Sequence, residues 1–250
     1  MTVVEAASLL IGAGIVAGII GSGGGVTSLV SYPALLAVGI APLPASIANL
    51  VAGVVMGPGS ALSSRPELAE TRTVLLRLLP VSILGTIAGA GLLLVTPPVV
   101  FARVVPFLVA AGSLVLVLQP TLLRLTGQRH GGRPLLILVS VGVVSVYGGY
   151  FGAGSGVMLL AVILLFVDSR VPPANAIKNI LLGATSAVAA TVFVVGGPVS
   201  WAAVLSLAVG LLIGSLLGPI IVRHLPPSLV RWIAATLGFV LAIYLWLRPA

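Results

Sequence analysis

Two stretches of 33 residues decide the fold: AASLLIGAGIVAGIIGSGGGVTSLVSYPALLAV at 6–38 and LLILVSVGVVSVYGGYFGAGSGVMLLAVILLFV at 135–167. An apolar helix of about 20 residues crosses the ~30 Å hydrocarbon core of a bilayer. Each stretch is therefore too long for one upright crossing and too short for two. Each is interrupted near its middle by glycine: Gly21-Ser22-Gly23-Gly24-Gly25 in the first, Gly148-Gly149 and Gly152-Ala153-Gly154-Ser155-Gly156 in the second. Glycine has the most backbone freedom to lose, so clusters of it break helices. Both stretches are expected to form re-entrant hairpins of two half-helices, each reaching about 22 Å and so past the midplane. A pair of short full spans in each stretch gives the same parity of crossings.

Around these stretches lie six apolar runs of ordinary spanning length, at 44–63, 74–96, 99–118, 174–195, 199–222 and 228–247. The composition agrees: 59% of the 250 residues are hydrophobic and 6% are charged. A soluble domain carries about a quarter charged residues, so this chain reads as an all-α integral membrane protein. Disorder needs the opposite composition, and a β-barrel needs alternating strands of about ten residues. Cysteine is absent, which removes disulfides, thiolate metal sites and cysteine nucleophiles. The N-terminus MTVVEAAS lacks the basic region of a cleaved signal peptide.

The charges test the topology. If both 33-residue stretches return to the side they entered from, Arg65, Arg72, Arg77, Arg124, Arg129, Arg133, Arg170, Lys178, Arg223 and Arg231 share one side, leaving Arg103 and Arg248 opposite. That bias is the one expected of a cytoplasmic face, and it places both termini outside. It also explains the net charge of +8 without nucleic acid, since the basic residues lie in short loops. Trp201, Trp232 and Trp246 fall near span ends, where interfacial aromatic belts form. The expected setting is the cytoplasmic membrane.

The chain repeats itself. Gly18, Gly21, Gly23, Gly25 and Val26 recur as Gly149, Gly152, Gly154, Gly156 and Val157, an offset of 131. Pro42, Ile47, Asn49 and Gly53 recur as Pro172, Ile177, Asn179 and Gly183 at 130, and Gly85, Gly89, Pro97 and Pro98 as Gly214, Gly218, Pro226 and Pro227 at 129. The expected organisation is a first repeat at 1–118, a basic cytoplasmic linker at 119–134 and a second repeat at 135–250. Each repeat is a hairpin plus three spans, and three is odd, so the second sits upside down relative to the first. Duplication, broken segments and inverted topology together mark secondary transporters.

The glycine breaks are the first candidate site. A half-helix starting at Val26 or Val157 presents amides with no intrahelical partner at the positive end of its dipole. Glycines let the preceding backbone turn its amides toward the same point, a nest for an anion. Ser22, Gly23, Gly24 and Gly25 are the candidates in the first half, and Gly154, Ser155 and Gly156 in the second, with Thr27 a further hydroxyl donor. Asn49 and Asn179 hold equivalent positions, and a buried amide needs a partner or a ligand. Lys178 is the only lysine. Within a membrane it is either a functional cation or a side chain snorkelling to headgroups. The bland alternatives are tight helix packing for the glycines and inter-helix hydrogen bonding for the asparagines.

Glu5, Glu67, Glu70 and Asp168 all fall in loops or at boundaries, as do His130 and His224. No carboxylate stands at membrane depth to bind a hard cation or to relay a proton. No catalytic dyad stands there for an enzyme, and no phosphate-binding loop for ATP. No metal and no cofactor is called for; the expected partners are a small anionic substrate and the lipid bilayer.

The phrases GIIGSGGGV at 18–26, GGYFGAGSGVMLL at 148–160 and PPANAIKNILLGATSAV at 172–188 resemble the TauE/SafE sulfite exporter family, the TSUP permeases, over nearly the whole chain. The resemblance implies secondary transport of sulfite or of sulfonated or carboxylated organic acids. Members often carry a further asparagine about seven residues after the Lys-Asn pair; here Ser186 stands there. Transport by alternating access and a channel-like anion facilitator both fit these residues.

Overall fold

A computed structural model describes residues 2–24, 27–57, 65–125, 134–222 and 227–247. Every regular element among them is helical, and we number the α-helices in chain order. The first series is α1 (Val3–Gly24), α2 (Ser28–Ala37), α3 (Pro42–Ala52, prolonged by a 3-10 turn at Gly53–Val55), α4 (Arg65–Val95) and α5 (Pro98–Leu125). The second is α6 (Pro134–Tyr150), α7 (Ser155–Phe166), α8 (Val171–Gly196), α9 (Trp201–Val222) and α10 (Pro227–Leu247). Five contain segments long and apolar enough to cross a membrane: Val3–Gly21, Thr71–Val95, Pro98–Leu118, Pro173–Gly196 and Trp201–Gly218. Leu76, Leu84, Ile87 and Leu92 on α4, and Leu205, Leu212 and Leu216 on α9, are exposed. So large an apolar exterior is stable only against lipid. This is a multi-pass membrane protein.

Both over-length stretches are divided, but into unequal arms. The first yields helices of 22 and 10 residues and the second of 17 and 12. At about 1.5 Å per residue α1 is ~33 Å long, a full crossing rather than half a hairpin. The glycine cluster does not stop α1 where expected: Ser22, Gly23 and Gly24 form its last turn, and Gly25 lies outside the described residues. A helical glycine costs about 1 kcal/mol relative to alanine, a penalty that tertiary packing overrides. The remaining boundaries also shift. The stretch expected as a span at 44–63 is the short α3 and its 3-10 turn as far as it is described. The first residues of the expected linker at 119–134 continue α5 to Leu125.

Proline and glycine explain the starts. α3 and α8 have proline in the first turn, where no amide hydrogen bond is forfeited, after extended Ala41 (ψ 153°) and Arg170 (ψ 125°). The break before α7 needs left-handed backbone at Gly152 (φ +82°) and Gly154 (φ +80°), conformations that suit glycine. The Tyr147 hydroxyl reaches Ala153 O at 2.7 Å and Leu108 O at 3.1 Å, tying this break to α5. Tyr32 of α2 meets Phe151 edge-on at 5.2 Å, and Phe101 of α5 completes the aromatic core beneath the break.

The two series interlock. α1 packs most extensively on α9, and α4 on α6: the first helix of each series against the fourth of the other. The contacts match residue by residue. A Cβ on Gly18 would meet Ser215 N at 2.8 Å, and one on Gly149 would meet the backbone Cα of Thr86 at 3.0 Å. Gly18 and Gly149 are repeat equivalents, as are Thr86 and Ser215. Small residues let helix backbones approach this closely, the main source of helix association in lipid.

Candidate functional site

Where α3, α7 and α8 converge with α4 and α6, a cavity of about 120 Å³ opens. Asn49 reaches it from α3, Ser155 and Gly156 from the first turn of α7, and Lys178 and Asn179 from about two turns into α8. Five of the expected site residues, drawn from both repeats, therefore share one wall-to-wall space. The proline-led starts of α3 and α8 bring the two asparagines to it.

Lys178 is 2% exposed and Asn49 4%. The lysine is not a snorkelling side chain, because it is enclosed and lines the cavity. Among the described residues it has no carboxylate partner, and no aspartate or glutamate lines the cavity. Isolated charge is costly to bury, so an enclosed ammonium without a counterion is a strong demand for an anion. Asn49 is oriented by α2. The Ser31 hydroxyl lies within reach of Asn49 Oδ1 and of Thr27 O (3.0 Å). The Asn49 carboxamide also carries the Nδ2 donor, on a residue that lines the cavity.

The glycine break contributes less amide than the sequence leads one to expect. Ser155 N is bonded to Gly152 O (3.2 Å), and Val157 N and Met158 N to Gly154 O (both 3.1 Å). The Ser155 hydroxyl donates to Gly152 O at 2.8 Å, so its proton is committed as well. Of the break residues, the Gly156 amide is left beside the cavity. Gly154 does not line it. Its left-handed backbone packs on α5, where a Cβ would meet Gly112 Cα at 2.9 Å. Packing, the bland reading, is what this glycine does. Ser22, Gly23 and Gly24 close α1, and the residues that bracket the run, Gly21 and Thr27, line the cavity. Asn175, which has no repeat counterpart, does not line it.

Four polar residues join the cavity that sequence reasoning did not place there: Ser28, Thr86, Ser145 and Thr185. Ser145 donates to Ser82 Oγ at 3.0 Å and Thr185 to Leu182 O at 3.1 Å. Thr86 Oγ1 is buried without a partner, a state that costs about 1–3 kcal/mol. The signal that could have found Thr86 is the duplication, which pairs it with a second hydroxyl at Ser215. Ser186, which stands where the family resemblance leads to asparagine, also lines the cavity. At its edge Gly57 and Gly183 bring two backbones into contact; a Cβ on either would meet the other's Cα at 3.2 Å.

The family described as sulfite exporter TauE/SafE matches residues 6–245. A Haemophilus influenzae protein named a probable membrane transporter protein is 24% identical over 242 residues, 95% of this chain and 93% of its own length. The Escherichia coli probable membrane transporter protein YfcA is 26% identical over 88% of this chain and 80% of its own. A Sinorhizobium probable membrane transporter protein, ORF9, is 26% identical over 95% and 91%. No solved structure matches the chain. A bundle of apolar helices around a cavity with polar groups in its wall, matched along almost its entire length by one family, identifies this chain as a membrane transporter, not an enzyme, that belongs to the TauE/SafE sulfite exporter family.

Proposed function

We propose that this transporter moves a small anion, sulfite or a sulfonated or carboxylated organic acid, by alternating access, with the solute held in the cavity between α3, α7 and α8. The observation that carries the reading is Lys178: buried, without a carboxylate partner among the described residues, on the wall of a cavity lined by amides and hydroxyls. Its ammonium neutralises the solute. Asn49 Nδ2 and the Asn179 amide donate to solute oxygens, and the Gly156 amide adds the positive end of the α7 dipole. Ser155 and the buried backbone of Gly154 hold the break in shape. Ser22, Gly23 and Gly24, the last turn of α1, follow directly on Gly21, which lines the cavity, and are the part of the first glycine cluster assigned to its lip.

Alternating access follows from the duplication. The α1·α9 and α4·α6 pairs use matched glycine contacts, which supports two repeats of one unit, and we take them as inverted, the arrangement of transporters built from repeats with broken helices. Two equivalent arrangements of one unit give two equivalent ways to open, one to each side. The Gly57·Gly183 contact, at the cavity edge and without side chains to interdigitate, is where one bundle slides on the other. Both termini then lie outside.

The test is counterflow in vesicles reconstituted with the purified full chain. Internal sulfite is expected to accelerate uptake of labelled sulfite, and Lys178→Ala to abolish the effect. A saturable flux without trans-stimulation would replace the carrier with a channel-like facilitator. No sulfite or sulfonate flux at all would refute the anion reading.

A further inference from the structure

We propose that Thr86 on α4 is a specificity-determining contact of this cavity, donating its hydroxyl to an oxygen of the bound anion; the inference rests on the cavity being the substrate site. Serine and threonine hydroxyls on the helices of this protein are ordinarily spent on a carbonyl one turn back. Thr96 donates to Leu92 O at 2.6 Å, Ser113 to Val109 O at 2.8 Å, Thr191 to Ala187 O at 2.9 Å and Ser206 to Ala202 O at 2.8 Å. Thr86 departs from that habit. Its residue is 1% exposed and its hydroxyl has no partner among the described residues. Ser46 shares that state, but of the two only Thr86 lines the cavity.

The repeat supplies an internal control. Ser215, the equivalent of Thr86 on α9, bonds Leu212 O at 2.9 Å in the ordinary way. A hydroxyl at this position of the helix therefore has a carbonyl within reach. The uncommitted state of Thr86 belongs to its surroundings in the first repeat. Its backbone cannot move aside, because Gly149 packs directly on it and Gly85 on Gly142, where a Cβ would meet the carbonyl oxygen at 2.8 Å. Rotation about χ1 exchanges the methyl and hydroxyl positions between staggered wells. Reorientation of the hydroxyl toward a bound anion therefore requires side-chain rotation and not movement of the helix.

The remaining lining tells what the hydroxyl is for. The protons of Ser145, Ser155 and Thr185 are committed to protein acceptors. Thr86 carries an unpartnered hydroxyl in the same cavity lining as the Lys178 ammonium and the Asn49 carboxamide. These are separate donors on α4, α8 and α3. An anion with several acceptor oxygens takes them together, whereas a monatomic halide presents one centre and cannot satisfy all three geometries equally well. The lining is asymmetric between the repeats: Lys178 is matched by Ala48, so the charge comes from the second repeat alone, and the unpartnered hydroxyl of Thr86 comes from the first.

The full chain reconstituted in vesicles tests this with sulfite as substrate and bromide as competitor. Thr86→Val keeps the shape and deletes the hydroxyl; its KM for sulfite is expected to rise about tenfold, with maximal rate little changed and bromide competition strengthened in proportion. Thr86→Ser is expected to restore most of the affinity. The melting temperature of Thr86→Val in detergent should equal or exceed that of the wild type, because an unpaired buried hydroxyl is gone. Wild-type KM and selectivity in Thr86→Val, or a Thr86→Ser protein as impaired as Thr86→Val, overturns the inference alone. A wild type that neither transports sulfite nor is stabilised by it overturns the anion site and this inference together.

Discussion

Replacing Lys178 by methionine should make the protein more stable and a worse transporter at once. Methionine keeps an unbranched chain of similar reach and fills irregular space, so the cavity wall is preserved while the charge is removed. The ammonium is 2% exposed and has no ion-pair partner among the described residues. Its burial costs several kcal/mol in a low-dielectric interior. Recovery of even about 1 kcal/mol of that raises the melting temperature by roughly 2–4 °C in a chain of this size. The loss is at the substrate. A hydrogen bond from a charged donor contributes about 1.5–3 kcal/mol, so sulfite affinity should fall about ten- to hundredfold at 1.4 kcal/mol per decade. Melting of the purified protein in detergent, with and without sulfite, reads both effects, since a ligand stabilises by RT ln(1 + [L]/Kd). Lys178→Met should melt higher than wild type without sulfite and gain little on its addition. A variant that melts lower and still responds at the wild-type sulfite concentration would refute the reasoning, and Lys178 would then be structural.

Asn49→Asp preserves shape but turns the Nδ2 donor into a carboxylate facing the Lys178 wall; sulfite uptake should be lost, and retained uptake would remove Asn49 from the site. Gly14 and Gly12 lie two residues apart on α1 with opposite expectations. A Cβ on Gly14 meets Leu207 O at 2.7 Å, whereas one on Gly12 meets nothing within 4 Å. Thermal melts should show Gly14→Ala destabilised by about 1–3 kcal/mol and Gly12→Ala unchanged or stabilised by up to about 1 kcal/mol. Gly154→Ala forces a side chain into backbone at φ +80° and against Gly112, costing about 1–2 kcal/mol for the left-handed conformation alone; reduced yield of folded protein is the readout. Single cysteines added to this cysteine-free chain at Ala41 and Gly197 should react with an impermeant thiol reagent from outside, and one at Ser169 from the cytoplasm. Labelling of position 41 from the cytoplasm would overturn the inverted topology.

Hydropathy, glycine clusters and repeat offsets were enough to read a helical membrane bundle and its two divided stretches, because lipid leaves backbone polar groups few alternatives to helix. The candidates Asn49, Lys178 and Asn179 were legible for a related reason: polar side chains in an apolar run stand out when burial is expensive. Local rules failed where neighbours decided the outcome. The run Ser22–Gly24 stays helical although its glycines favour a break, and the amides at the start of α7 are mostly consumed by the turn that precedes it.

Sequence alone determined that this chain is a helical membrane protein and that each of its two long apolar stretches is divided. These properties depend on composition and spacing along one strand of chain. Only the tertiary structure decided that Lys178 is buried on the wall of a cavity, that Gly154 serves packing on α5, and that Thr86 and Ser145 line one cavity with residues far away in sequence. The reason is geometric. A helix in lipid has an apolar surface nearly all round, so hydrophobic pattern does not say which face meets a neighbour; that is settled by where small residues let two backbones approach.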